Sequence, residues 1–215
     1  MESLTRQRLA DLPRRRLHSG RNPTKADIDL LEVEGRAIVL KDLSGRLWPA
    51  RVLFGPWQLD REERAYRTLE GVDGIPRLLG RVDRHAIALE YIPGRTLNAV
   101  RPGEVDETFF ARLERLLRRM HDRGVAHGDL HHRDILVGPG GEPYVVDFST
   151  AIVAGTAPDP LLRLLFSQMR RADLRCVAKL RRRLVPGSRL TVPDRPGLYQ
   201  AGVRLKRFWN RLRRR

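Results

Sequence analysis

Three acidic positions in the second half of the sequence could do chemistry together. Asp129 lies in the stretch His-Gly-Asp-Leu at positions 127–130, Asp134 follows five residues later, and Asp147 begins the stretch Asp-Phe-Ser at positions 147–149. Two carboxylates can hold a metal ion together with a phosphate group, while a third accepts a proton from a reacting hydroxyl. Such chemistry requires that the fold bring these positions together in space.

The residues between Asp134 and Asp147 predict a β-hairpin. An apolar run at 135–137 (Ile-Leu-Val) and a second at 144–146 (Tyr-Val-Val) flank the stretch Gly-Pro-Gly-Gly at 138–141. Gly and Pro are the residues that most strongly mark turns. Because a hairpin folds back on itself, it would place Asp134 and Asp147 at the same end of the ribbon.

These residues resemble the pattern of the protein-kinase-like superfamily, which reads H-R-D-L-x-x-x-N and then D-F-G. The H-G-D form is similar to that of RIO-type kinases, small-molecule phosphotransferases and bacterial kinases of the lipopolysaccharide core sugars Kdo and heptose. The resemblance implies that Asp129 orients the acceptor hydroxyl and takes its proton, and that Asp147 binds the magnesium ion bridging the ATP phosphates. It also implies a second metal position at Asp134.

Two residues depart from that pattern. Asp134 stands where the pattern has Asn, so it keeps an oxygen ligand for a hard cation and adds a negative charge. Ser149 stands where the pattern ends in Gly, which reduces the flexibility of that turn. Neither change removes a phosphate or metal ligand.

The resemblance also implies a lysine for the phosphates and a glutamate that holds the lysine. A run of strand-type apolar residues ends at Lys41, close to the V-A-I-K signature. The stretch 59–69 predicts an amphipathic helix, and Glu62 lies one turn before Tyr66, near its apolar face. We therefore predict Glu62 as the partner of Lys41, with Glu63 as the alternative.

The contacts to adenine and to the phosphates are expected from segments on either side of Lys41. The stretch 86–92 predicts a strand that leads into a Pro-Gly turn, and it resembles the hinge whose backbone binds adenine. No G-x-G-x-x-G stretch precedes Lys41, and the candidate for a phosphate-binding loop is 19–25, through backbone amides and basic side chains. The residues expected at the adenine are Glu90, Tyr91 and Ile92.

Length and composition agree with a small enzyme of two lobes. At 215 residues, of which 41% are hydrophobic, the chain can bury a core. Helices are predicted after Asp106, which is a suitable N-cap, and over 161–184. The predicted fold class is α+β, a two-lobed protein-kinase-like fold with a small antiparallel-sheet N-lobe and a minimal, mostly helical C-lobe. The predicted division is a basic N-terminal arm at 1–24, the N-lobe at 25–92, the C-lobe with the catalytic loop at 93–184 and a basic amphipathic tail at 185–215.

Positive charge is concentrated at the C-terminal end. The formal net charge is +16; residues 161–215 hold 17 Lys and Arg against 2 Asp and Glu, whereas residues 1–160 hold 25 against 24. Residues 203–215 predict a basic amphipathic helix, which suits an anionic membrane surface where each cation contributes about 1 kcal/mol. Binding to nucleic acid or to the ribosome is the less favoured alternative, and packing of the apolar face against the protein is another.

The cellular location is predicted from what the sequence lacks. Cys176 is the single cysteine, so an intramolecular disulfide is excluded, which fits a reducing compartment. The sequence shows no secretory signal and no apolar run of about 20 residues. We expect a cytoplasmic protein with peripheral association at the inner face of the membrane.

The function implied by the resemblance is ATP-dependent phosphoryl transfer. The γ-phosphate of Mg-ATP would move to a hydroxyl group of a protein Ser or Thr or of a lipopolysaccharide-type sugar. Three alternatives stay open: a nucleotide-binding pseudokinase that acts as a scaffold at the membrane, a RIO-like ATPase on ribosomal particles, and a metal-dependent hydrolase. The hydrolase would draw its metal ligands from His127, Asp129, His131 and His132.

Overall fold

The structure is a computed structural model that describes residues 4–19, 26–45, 55–155 and 159–188 of the chain. Its architecture is α+β. A five-stranded antiparallel sheet lies in the N-terminal half, and two long helices with two small sheets make up the C-terminal half. The fold class predicted from the sequence is confirmed.

Five strands form the large sheet: β1 (Arg15–His18), β2 (Asp27–Val33), β3 (Arg36–Asp42), β4 (Leu78–Asp83) and β5 (Ala86–Glu90). They pair in the order β1-β2-β3-β5-β4, each antiparallel to its neighbours. Glu34 and Gly35 close the β2–β3 hairpin with φ values of 51° and 72°. A two-residue turn of type I′ requires positive φ at both positions, which these two residues supply.

Four α-helices lie in the described part of the chain: α1 (Arg6–Ala10), α2 (Gly55–Thr68), α3 (Glu107–Asp122) and α4 (Pro160–Leu184). Asp106 caps α3 as expected, because its carboxylate accepts the backbone N–H of Phe109 at 2.8 Å. The stretches predicted to be helical at 59–69 and 161–184 correspond to α2 and α4. Within the described ranges, none of the helices is both long enough and apolar enough to cross a membrane.

The large sheet is covered on both faces. Successive residues of a strand alternate between the two faces. Ile38 and Leu40 of β3 therefore lie in one cluster with Leu9 of α1, whereas Val39 packs against the main core, which includes Leu59 of α2. The strand that ends near Lys41 is thus fixed from both sides.

The main core runs from the sheet into the helices without a break. It joins buried side chains of α2, β5, α3 and α4 in a single cluster. Burial of each large apolar side chain contributes about 1.5–3 kcal/mol relative to exposure. The apolar face of α3 lies inside this core, where four of its side chains are fully buried: Phe110, Leu113, Leu117 and Met120.

Two small sheets complete the C-terminal half. Their strands are β6 (Arg95–Thr96), β8 (Ile135–Val137) and β9 (Pro143–Val145) in one sheet, and β7 (Val125–Ala126) and β10 (Ile152–Val153) in the other. The antiparallel pair β8 and β9 is the hairpin predicted between Asp134 and Asp147. It starts at the expected residue, and its second strand is displaced by one position.

The division of the chain into arm, lobes and tail stays a prediction. Within the segment 1–24, α1 and β1 are regular elements, and β1 pairs with β2 at the edge of the large sheet. The segment 203–215, predicted to be an amphipathic helix, lies outside the described residues.

Candidate active site

Lys41 reaches the interior because of its register in β3. Alternation along the strand places it on the same face as Val39, which is the face that packs against α2. Only 7% of its side chain is exposed. An ammonium group in such a position has to be paired with carboxylates, because an unpaired buried charge is strongly unfavourable.

Two carboxylates pair with Lys41. Its Nζ atom lies 2.7 Å from Glu62 Oε2 and 2.7 Å from Asp147 Oδ1. Glu62 comes from the buried face of α2, whereas Asp147 follows β9. Glu63, the alternative partner, faces away from Lys41 and pairs with Arg67 at 2.7 Å. The contact expected between Lys41 and Glu62 is therefore present.

Burial and mutual attraction together set the charges of this cluster. Burial acts to lower the pKa of Lys41, but the carboxylates of Asp147 and Glu62 overcome it and raise that pKa. Burial acts to raise the pKa of Asp147, yet the Lys41 ammonium holds it well below its usual range. The pKa of Glu62 is raised, chiefly by burial. Lys41 is thus held as a cation and Asp147 as an anion.

The hairpin brings Asp134 close to Asp147. At the base of the ribbon, the backbone N–H of Val146 donates to the backbone oxygen of Asp134 at 2.9 Å. The Asp134 carboxylate accepts the backbone N–H of His131 at 2.9 Å. Burial raises the pKa of Asp134, and repulsion from the Asp147 carboxylate raises it further. Binding of a divalent cation by both carboxylates would relieve their mutual repulsion.

Contacts fix each residue of the Asp-Phe-Ser turn. Asp147 adopts φ 65° and ψ 68°, a left-handed conformation that is uncommon for residues other than glycine. Phe148 is buried, with its ring centroid 5.0 Å from that of Tyr66 in α2 and 5.4 Å from that of His127. The backbone oxygen of Ser149 accepts a hydrogen bond from the Arg61 side chain of α2. The Asp-Phe-Ser turn is therefore held against α2 at Phe148 and at Ser149.

Asp129 lies at an open position. Its side chain is 62% exposed, and the Nε2 atom of His131 lies 3.8 Å from its Oδ1. Asp129 also lines a cleft of about 340 Å³ between its loop and α4. A carboxylate placed in this way is accessible to the hydroxyl group of a second substrate, as a general base must be.

Comparisons with known proteins agree with this architecture. The sequence profile of the phosphotransferase enzyme family (APH) matches residues 58–154. The crystal structure of the Rio2 kinase from Chaetomium thermophilum superposes with a TM-score of 0.63 at 19% identity, over 88% of this chain and 64% of that chain. The profile match covers less than half of the chain, and the superposition shows that the chain has a kinase-like fold.

A second crystal structure is similar to this chain in its fold. The Rio2 kinase-ADP/Mg²⁺-phosphoaspartate complex from Chaetomium thermophilum superposes with a TM-score of 0.60 at 20% identity, over 86% of this chain and 62% of that chain. The chain thus spans less than two thirds of the length of these Rio2 structures. No curated protein matches the sequence.

Sequence reasoning missed a buried carboxylate that holds the backbone of the loop at residues 127–134. Asp173 of α4 is fully buried and accepts the backbone N–H groups of His127 at 2.9 Å and Gly128 at 3.0 Å. It also hydrogen-bonds the His121 ring at 3.0 Å. One sequence feature pointed to its burial: Asp173 lies four residues before Val177, which is buried, on a helix otherwise rich in cations. Asp173 is a positioning residue, because it acts through the loop backbone.

The conformation of Gly128 explains the glycine of the His-Gly-Asp stretch. Its φ is +82°, and a Cβ atom there would lie 3.2 Å from Met169 Sδ and 3.3 Å from the backbone oxygen of Thr150. A side chain would therefore be both strained and crowded. The neighbouring His127 is a structural residue, buried with its Nε2 atom 3.1 Å from the backbone oxygen of Val146.

The residues expected at the nucleotide lie at the end of β5 and between β1 and β2. Glu90 ends β5, and its carboxylate accepts the backbone N–H of Arg77 at 3.1 Å. Tyr91 and Ile92 follow as half-buried residues. The candidate phosphate loop 19–25 connects β1 to β2, and its residues 20–25 lie outside the described part of the chain. The nucleotide contacts of both segments stay predictions.

The carboxylates present fit a magnesium ion that is bound together with phosphate. Magnesium keeps several waters and uses one or two carboxylates plus phosphate oxygens, which Asp134 and Asp147 can supply. Among the described residues, no three or more His, Cys, Asp or Glu side chains lie together as a metal site. The donor set therefore does not fit the hydrolase centre considered from the sequence, in which His127 was one ligand.

Proposed function

We propose that this chain is an ATP-dependent phosphotransferase that moves the γ-phosphate of Mg-ATP to a hydroxyl group. The proposal rests on the contact of Lys41 Nζ with Glu62 and Asp147, each at 2.7 Å. This contact places a buried, permanently charged cation beside a carboxylate that is paired in space with Asp134. Phosphoryl transfer needs that combination of a phosphate-binding lysine and metal-binding carboxylates.

Each residue of the cluster would have a separate role. Lys41 would contact the phosphates, with Glu62 holding its side chain in place. Asp147 and Asp134 would hold magnesium, which neutralises charge on the transferring group when it is bound. The backbone from Glu90 to Ile92 would contact the adenine. Catalysis would consist mainly of positioning and electrostatic stabilisation.

Asp129 would orient the acceptor hydroxyl and take its proton. Its 62% exposure supports this role, because a second substrate can reach it without displacing another side chain. Asp173 supports the role as well, since it fixes the backbone of His127 and Gly128 immediately before Asp129. A base held on a rigid loop keeps the geometry that proton transfer requires.

Magnesium-dependent turnover of labelled ATP tests the proposal, with membrane extract and cytosolic extract as sources of acceptor. We expect Asp129→Asn and Asp147→Asn each to lose activity by about 10²- to 10⁴-fold. Asn is the matched change, because it keeps the side-chain size and tolerates the left-handed backbone at position 147. Asp122→Asn, at an exposed carboxylate that ends α3, is the control and should keep full activity. Equal turnover in all four proteins would contradict the proposal.

Hydrolysis of ATP through one of the chain's own carboxylates is a second candidate. It is favoured by the similarity in fold to a Rio2 kinase in an ADP/Mg²⁺-phosphoaspartate complex. In this reaction a carboxylate oxygen would attack the γ-phosphorus, ADP would leave, and water would cleave the acyl phosphate. A hydroxylamine-labile label on the protein, with no label on any acceptor, would favour it. Nucleotide binding with neither label would instead favour the pseudokinase.

The basic segment 203–215 would hold the enzyme at an anionic membrane surface. The support is its sequence, which combines seven cations with an apolar face of four residues. Removal of residues 203–215 should abolish sedimentation with vesicles that contain anionic lipid, whereas neutral vesicles should bind neither form. Sedimentation with ribosomes instead, weakening as salt rises, would favour the ribosomal alternative.

A further inference from the structure

We infer that the cleft beside Asp129 binds an anionic group of the acceptor, so that the substrate is a small hydroxyl-bearing molecule or headgroup that carries phosphate or carboxylate. The inference rests on the proposed function, which assigns Asp129 to the acceptor hydroxyl. It concerns a different set of residues, however, which lie on α4 and have no role in nucleotide binding under that proposal.

The cleft has the size of a small-molecule site. Its volume of about 340 Å³ falls at the lower end of the range of about 300–1,000 Å³ that is usual for ligand pockets. One wall is the loop from Gly128 to His132, and the other is the face of α4 that includes Ala172, Cys176 and Leu180. A monosaccharide with one charged substituent is a ligand of suitable size.

Helical spacing places a row of cations along this wall. Arg175, Lys179 and Arg183 lie at intervals of four residues on α4, so they share one face of the helix, and all three line the cleft. Arg175 is half-buried, whereas Lys179 and Arg183 are exposed at the rim. Asp129 is the single acidic residue among the described residues that line the cleft. The cleft therefore combines one carboxylate, that of Asp129, with three cationic side chains.

The two rim cations differ from other cations of the same helix. Arg181, on another face of α4, pairs with Glu107 and also with Glu114 at 3.1 Å. Within the described part of the chain, Lys179 and Arg183 have no carboxylate at ion-pair distance. Uncompensated cations at the mouth of a cleft attract anions, because low-dielectric walls focus their field.

The same row of cations selects the charge of the ligand. A cationic acceptor such as an amino sugar would meet like charges from Arg175, Lys179 and Arg183 in the cleft. Repulsion of that kind rejects the wrong partner, while an anionic acceptor gains charge-assisted hydrogen bonds.

Direct binding of defined probes tests the cleft independently of catalysis. Glucose 6-phosphate and glucuronate are the anionic probes, and glucose and glucosamine are their neutral and cationic counterparts. NMR titration of the ¹⁵N-labelled protein without nucleotide detects millimolar binding and locates it. We expect shifts at His131, His132 and Cys176 with the anionic probes alone, reduced by higher ionic strength.

The variants Lys179→Gln and Arg183→Gln isolate the contribution of the rim. Each should weaken binding of the anionic probes by about tenfold, the usual effect of losing one charge-assisted hydrogen bond. The control is Arg182→Gln, which removes the same charge from an exposed neighbour that does not line the cleft. Equal binding by the wild type and both rim variants, or no binding by the wild type, would overturn the inference.

Failure of the anion site and failure of the phosphotransferase proposal give different results. Anion binding that depends on Lys179 and Arg183, in a protein that does not turn over ATP, would support the anion site and contradict the phosphotransferase proposal. Turnover of ATP with glucosamine preferred to glucose 6-phosphate would support the phosphotransferase proposal and contradict the anion site. Vesicles that display the same phosphorylated sugar distinguish a lipid headgroup from a free sugar phosphate, and both support the inference. Oligonucleotides that bind more tightly with length would overturn it, because the ligand would then be an extended polyanion.

Discussion

Asp173 accepts the backbone N–H of His127 at 2.9 Å, although 46 residues separate them in the sequence. The second oxygen of the same carboxylate accepts the backbone N–H of Gly128 at 3.0 Å. Both donors belong to the loop that carries Asp129, and Asp173 belongs to α4, which is part of the main core. The position of Asp129 is therefore fixed by the packing of a helix that lies far from it in the sequence.

Replacement of this carboxylate should loosen the loop. Asp173→Asn puts an NH₂ group where one oxygen now accepts an N–H, so at least one buried donor loses its partner. We expect a loss of about 2–4 kcal/mol in the free energy of unfolding, measured by urea denaturation. Asp122→Asn on the surface should change stability by less than about 0.5 kcal/mol. Equal stability of the two variants would show that the hydrogen bonds of Asp173 are not important for folding.

Removal of the Lys41 ammonium should destabilise the protein in a pH-dependent way. Lys41→Met leaves Glu62 buried beside Asp147 without a counter-charge, and we expect a loss of about 3–5 kcal/mol at pH 8. The pKa of Glu62 is already raised by burial. A carboxyl group whose folded pKa is raised favours folding at low pH and loses that benefit as pH rises. The loss should therefore be smaller at pH 5.

Urea denaturation of the Lys41 variants at both pH values checks this expectation. The double variant Lys41→Met with Glu62→Gln removes the pair together and should regain part of the stability at pH 8. Its pH dependence should also be weaker than that of the single variant, because Glu62 no longer titrates. A loss in Lys41→Met that grows as pH falls would rule out Glu62 as the group that titrates.

Arg6 of α1 should stabilise the outer face of the sheet except in acid. Its Nη1 atom lies 2.9 Å from Asp42 Oδ2, and its Nε donates to Asp83. Burial acts to raise the pKa of Asp42, but Arg6 holds it below the usual value. A lowered folded pKa gives stability that is present above about pH 4 and is lost as pH falls through the folded value.

Arg6→Ala should therefore cost about 1 kcal/mol at pH 7, since the arginine is partly exposed, and less at pH 3. Thermal or urea denaturation across this range gives the measurement. Arg15→Ala, at an exposed cation of β1, should show little effect at either pH. A penalty for Arg6→Ala that increases in acid would contradict the role given to Asp42.

Local patterns were sufficient for much of the candidate site. Strand-type runs, turn residues and helix periodicity concern neighbours in the sequence, and together with the resemblance to the kinase pattern they led to Lys41, to Glu62 rather than Glu63, and to the hairpin that joins Asp134 to Asp147. The helix cap at Asp106 is a local signal as well. The catalytic roles of these residues stay predictions, because contacts alone do not measure activity.

The contacts that sequence reasoning missed join distant segments. Asp173 meets His127 across 46 residues, and Arg6 meets Asp42 across 36. The sequence around each residue does not indicate which residue it contacts. An acidic residue in a basic helix, or a cation near the N-terminus, fits a solvated surface equally well. Only the packing of α4 and α1 against the rest of the chain decides which charges meet.

The single cysteine should react slowly in the folded protein. Cys176 lies on α4 beside the cleft, and burial, followed by the charges of Asp173 and Asp134, raises its pKa to about 12. The thiolate is the reactive form, so alkylation by iodoacetamide at pH 8 should be at least about 100-fold slower than in urea-unfolded protein, where the pKa is about 8.5. Mass spectrometry of timed samples gives both rates. Similar rates would mean that the thiol is exposed to solvent.

Asp134 should set how tightly magnesium is held and how that affinity depends on pH. Asp134→Asn keeps an oxygen ligand but removes one negative charge, so the magnesium concentration that gives half-maximal ATP turnover should rise by about tenfold. Because the pKa of Asp134 is raised by burial and by Asp147, its protonation should weaken magnesium binding in the wild type as pH falls toward that raised value. In Asp134→Asn this acid-side weakening should be reduced, since only Asp147, whose pKa is lowered, still titrates. Magnesium titrations of ATP turnover at several pH values measure both effects. An unchanged magnesium requirement in Asp134→Asn would remove Asp134 from the metal site and leave Asp147 to bind the ion.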